Sequence, residues 1–69
     1  MPLHRIILEI VFSRSEGLNE SKLEDIMKKE YGVEVTKSEL YHALMKLELQ
    51  GLIQVEAVGK EFLIKPVKT

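Results

Sequence analysis

The sequence predicts a mainly α domain, with three helices closed by a β-hairpin, in a chain of 69 residues. Three observations carry that prediction. Apolar residues recur at helical spacing in three separate stretches. Two Ser/Thr-x-x-Glu runs, Ser21-Lys22-Leu23-Glu24 and Thr36-Lys37-Ser38-Glu39, have the form of a capping box at a helix start. After Gly51 the apolar period shortens to two, the mark of strands.

Each element follows in order along one domain, 1–69. Pro2 suits a first helical turn, and Leu3, Ile6, Ile7 and Ile10 recur behind it, so helix one is read over 2–14. The polar run Ser13-Arg14-Ser15-Glu16-Gly17 ends it. Leu18-Asn19 is a short extended link able to pair with a later strand. Helix two is read over 21–31, with Ser21 and Glu24 as its capping box and Leu23, Ile26, Met27 and Tyr31 as its inner stripe. Asn19 is a competing cap, which would set Leu18 and Leu23 as a hydrophobic staple. Gly32 is the stop. Helix three, over 37–50, starts on Thr36 and Glu39 with Val35 and Leu40 as staple, turns Leu40, Ala43, Leu44 and Leu47 to one face, and ends at Gly51.

The hairpin spans 52–66. Ile53, Val55 and Ala57 alternate with polar residues, and Gly59-Lys60 makes a two-residue turn. That turn sets Ala57 opposite Phe62, Val55 opposite Ile64 and Ile53 opposite Pro66, all on one side. Pro66 limits further pairing, and 67–69 are expected to fray.

Composition narrows the chemistry. A chain this short hides only about 60% of the surface its unfolded form exposes, so its core is marginal. There is no cysteine, hence no disulfide and no thiolate metal site. His4 and His42 are too few for a structural zinc site, and no Gly-rich phosphate loop or His-Glu metal spacing occurs. No metal, cofactor or catalytic residue is expected, and the chain is not read as an enzyme. The apolar run Ile6–Phe12 is too short to span a bilayer and is interrupted by Glu9. A cytoplasmic, unprocessed protein with no membrane role is expected. Ten glutamates beside the single Asp25 and the single Asn19 lean toward a heat-adapted source.

Helix, helix, short turn, helix, hairpin is the order of a winged helix-turn-helix. The run Leu40-Tyr41-His42-Ala43-Leu44-Met45-Lys46-Leu47-Glu48-Leu49-Gln50-Gly51-Leu52-Ile53 resembles the recognition helix and wing entry of PadR-like and related prokaryotic regulators. More broadly, the chain resembles a minimal archaeal-type winged-helix protein. The resemblance implies a transcriptional regulator in the nucleoid that binds double-stranded DNA and places helix 37–50 in the major groove. Lys37, Ser38, Tyr41, His42, Met45 and Lys46 would then face bases and phosphates. Ser21 and Lys22 at the second helix start would meet the backbone, as would Lys60 at the wing tip.

Other readings of the same residues stand beside this one. Capping residues are structural first, and surface lysines are more often solvated than engaged. Net charge is −1, and from Thr36 to Lys46 two lysines face one glutamate, a poor phosphate surface. Tyr41, Met45 and Leu49, spaced by four, form an apolar stripe on the supposed DNA side. That stripe suits a protein partner, so the alternative is an interaction module or small subunit of a larger assembly. Helix one carries Leu8, Val11 and Phe12 away from its inner stripe, and a homodimer through these three is expected.

Overall fold

A computed structural model describes residues 3–67. Its elements are α1 (Leu3–Phe12), β1 (Leu18–Asn19), α2 (Glu20–Tyr31), α3 (Lys37–Leu49), β2 (Ile53–Val58) and β3 (Glu61–Pro66). The strands form one antiparallel sheet in the order β1-β3-β2. Three helices against a small sheet with a terminal hairpin are the winged helix-turn-helix predicted. Pro2, the expected start of helix one, lies outside the described residues.

The hairpin register is the one its alternation predicts. Ala57 pairs with Phe62, Val55 with Ile64 and Ile53 with Pro66, and Val58 with Glu61 closes the Gly59-Lys60 turn. Leu18 pairs with Ile64 and Asn19 with Leu63, so the extended link becomes the third strand. Pairing continues one step further than expected: the Val67 amide donates to the Leu52 carbonyl at 3.2 Å, so the chain is tied down just past Pro66.

α1 ends two residues early. The Ser13 hydroxyl donates to the Ile10 carbonyl at 2.7 Å, and the Arg14 and Gly17 amides turn back on Val11 and Arg14. Gly17 is required here. Its φ is +87°, and a Cβ would come within 2.9 Å of the Ile64 carbonyl oxygen. This close approach brings the chain into the sheet at Leu18.

α2 starts earlier than the Ser21 box predicts. Asn19 caps it, accepting from the Lys22 amide at 2.8 Å, and Leu18 and Leu23 are both buried as the staple. Strand pairing of Leu18 and Asn19 with β3 fixes where the chain must turn, and the helix begins at the next residue. At α3 the predicted box forms: the Glu39 amide donates to Thr36 Oγ1 at 3.1 Å, and the Thr36 amide to Glu39 Oε1 at 2.9 Å. The helix closes at Leu49, one residue short, through Gln50 and left-handed Gly51.

The core draws on every element. Ile6, Ile7, Ile10 and Val11 meet Leu23, Ile26 and Met27, with Leu40, Ala43, Leu44 and Leu47 of α3 and Ile53 and Ile64 of the wing. The surface expected for a dimer on α1 is therefore corrected at Val11. Val11 is fully buried in its own chain and Leu8 packs partly against the same core, because α1 is covered by α2, α3 and β3 together. Phe12, at 52% exposure, is left as the strongly exposed apolar residue of this helix.

Candidate interaction face of the third helix and wing

The face is organised by a residue that sequence reasoning missed. Continuing the β1–β3 register by one step sets Glu20 opposite Phe62, but there the chain leaves the strand to become helix. The Glu20 carboxylate takes over the lost strand contact, accepting from the Phe62 amide at 2.9 Å. Its other oxygen accepts from Lys37 Nζ at 2.9 Å and from the Tyr41 hydroxyl at 2.6 Å. Glu20 is only 3% exposed, the one buried charged residue among those described. A single carboxylate thus joins α2, α3 and β3. Burial pushes its pKa up, yet the hydrogen bonds from Tyr41, Lys37 and the Phe62 amide, with the Lys37 charge, outweigh that and hold it below the ordinary value.

Lys37 is doubly engaged. Besides Glu20 it meets Glu24 Oε1 at 2.8 Å, and these two carboxylates raise its pKa well above the ordinary lysine value. Tyr41 is held at both ends. Its hydroxyl is on Glu20, which raises its pKa, and its ring meets Phe62 edge to face, centroids 5.4 Å apart and planes at 88°. Ser21 is occupied too, its amide and hydroxyl both donating to Glu61 Oε1, at 3.1 and 2.5 Å.

The remaining predicted contacts are exposed, with three of them on one stripe of α3 and the lysines of α2 and the wing apart from it. Ser38, His42 and Lys46 follow one another at intervals of four along α3, all exposed. Lys46 forms no ion pair among the described residues. Lys60 sits in the wing turn. Lys22 lines a depression with Arg14, Gly17 and Leu63. Because side chains alternate along a strand, Leu63 lies on the opposite side of the sheet from Phe62, so Lys22 is separated from the third-helix face.

Apolar residues fill the middle of that face. Met45 is 57% exposed and Leu49 81%. Beside them an open groove of about 300 Å³ runs between α3 and the wing, lined by Tyr41, Leu44, Met45, Glu48, Val55 and Phe62. Its walls are pinned from both helices of the motif. Glu20 holds the Phe62 amide, and Glu48 Oε2 accepts from the Val55 amide at 3.3 Å. The second bond closes one backbone donor of the β2 edge, where an added strand would otherwise pair.

The signal for Glu20 was present in Asn19. Once Asn19 is the cap, Glu20 becomes the first helical residue and faces the sheet. Its partners Lys37, Tyr41 and Phe62 are 17, 21 and 42 residues away, beyond any local motif.

Among the described residues no group of three or more His, Asp or Glu side chains is placed to hold a metal ion. No described helix is long and apolar enough to cross a membrane. No curated protein and no solved structure matches the chain. Residues 4–62, from the first turn of α1 to the start of β3, match the family described as the MCM protein C-terminal winged helix-turn-helix domain, and the chain belongs to that family.

Proposed function

We propose that the chain is a protein-docking winged helix, a small part of a larger assembly, that grips its partner in the groove between α3 and the wing. One observation carries this reading. Lys37 and Tyr41, expected to be free for phosphates on a DNA-reading helix, are both bonded to Glu20, while Met45 and Leu49 stand exposed with apolar side chains further along the same helix. An apolar ridge beside a pinned apolar groove suits side chains of a protein partner. The family description points to the same kind of setting, since it names a domain at the C-terminal end of an MCM protein.

The test is an amide-resolved NMR titration of the labelled chain with a purified MCM protein from the same source. Shifts at Tyr41, Met45, Leu49 and Val55, lost in Met45→Glu, support the reading. Absence of any shift at these positions up to high concentration refutes docking to that partner.

A second reading has its own support. The exposed Ser38, His42 and Lys46 stripe, with Lys60 on the wing, is what a regulator bound to double-stranded DNA would use. In the same titration, random duplex DNA shifting Ser38, His42 and Lys46 with a steep salt dependence favours it. Self-association through Leu8 and Phe12 is a separate proposal, resting on the exposure of Phe12. Sedimentation as a monomer at millimolar concentration refutes it.

A further inference from the structure

Lys37 is the cation in the first turn of α3, the helix end where the macrodipole favours anions. It faces two carboxylates rather than one. Glu20 is buried and bonded to Tyr41 and Phe62, so it cannot turn away. Glu24 reaches Lys37 from the next turn of α2, its side chain 29% exposed against 55% for the lysine.

Neither capping nor stability accounts for Glu24. The start of α2 is already capped by Asn19, so the reciprocal bond that Glu24 would make in a capping box does not form. A partly exposed ion pair contributes little to a fold. What Glu24 does change is charge. Glu20 and Lys37 together sum to zero, which leaves the exposed side of the ammonium open to an arriving phosphate. Adding Glu24 makes the cluster net −1 and takes a second hydrogen bond of the ammonium at 2.8 Å.

We infer that Glu24 is a specificity-determining residue that masks Lys37 and so keeps the third helix from gripping nucleic-acid phosphate. The mask acts whatever fills the neighbouring groove, and its test is separate from that of the docking reading. Removing it restores one phosphate contact.

The experiment is fluorescence anisotropy with random-sequence duplex DNA over a series of salt concentrations. Four proteins are compared: wild type, Glu24→Gln, Glu30→Gln and the double variant Glu24→Gln/Lys37→Gln. Glu30, exposed on the same helix, controls for loss of one negative charge. Glu24→Gln is expected to steepen the log–log salt slope by about 0.9, the value of one added phosphate contact, and to tighten binding several-fold at low salt. Glu30→Gln leaves the slope at the wild-type value, and the double variant returns to it. Glu24→Gln that binds no more steeply than Glu30→Gln, both failing to bind included, overturns the inference. This comparison stands even where removal of Lys37 unfolds the chain by stranding Glu20.

Discussion

The two Ser/Thr-x-x-Glu helix starts are built on opposite plans. At α3 the motif closes on itself, Thr36 and Glu39 exchanging bonds and leaving little of either for the rest of the molecule. At α2 the same spacing makes no box. Asn19 caps the helix, and the side chains released go to three destinations: Glu20 to β3 and α3, Ser21 to Glu61, Glu24 to Lys37. One start is local and self-sufficient. The other is a joint between elements. In a domain with a marginal core, such a joint holds the wing to the helices where apolar area is short.

Breaking the joint should therefore cost more than breaking the local cap. Glu20→Ala leaves the Phe62 amide and the Tyr41 hydroxyl without their acceptor in a half-buried place, at a cost of about 3 kcal/mol. Thr36→Ala removes one cap and should cost about 1 kcal/mol. Urea unfolding followed by circular dichroism measures both. Equal losses would show that the α2 start is no more than a second cap. Hydrogen exchange at the Phe62 amide should quicken in Glu20→Ala and stay slow in Thr36→Ala.

Acid should separate the two starts as well. The pKa of Glu20 is lower in the fold than in the unfolded chain. Its stabilising contribution is thus complete above the ordinary carboxylate value and is lost as pH falls through the lowered one. The melting temperature of the wild type should drop below about pH 4.3, the ordinary glutamate value. In Glu20→Gln that acid drop should be shallower, from a lower plateau. At the alkaline end, Lys37 and Tyr41 both have raised pKa values, so their contribution is present at neutral pH and disappears as pH climbs above the ordinary lysine and tyrosine values. An acid limb of the same depth in Glu20→Gln would mean that other carboxylates govern it.

The same contrast explains which parts were legible in the sequence. The wing was readable pair by pair, because a period of two and a two-residue turn leave one register that sets Val55, Phe62 and Ile64 on one side. The start of α3 was readable because its partners lie within five residues of one another. The start of α2 offered two caps, Asn19 and Ser21, and only strand pairing at Leu18 decides between them. Lys37 and Tyr41 sit where a reading helix would present them, and only Glu20, distant in sequence, engages them. Val11 was misplaced for a related reason. α1 is wrapped by two helices and a strand, so its covered arc is wider than its own periodicity shows.

The smallest expected effect is the sharpest separator of the two plans. Ser21 occupies in α2 the motif position that Thr36 occupies in α3, so a capping role predicts the same loss of about 1 kcal/mol on truncation. Its hydroxyl instead donates to Glu61 across the surface, and its amide already has that same acceptor, so Ser21→Ala removes one exposed bond of a pair. A loss of about 0.5 kcal/mol or less follows, since water replaces an exposed partner readily. Asn19→Ala, by contrast, should match Thr36→Ala at about 1 kcal/mol, because Asn19 holds the cap. Ser21→Ala as costly as Asn19→Ala in the same urea series would return the cap to Ser21 and with it release Glu24 from Lys37.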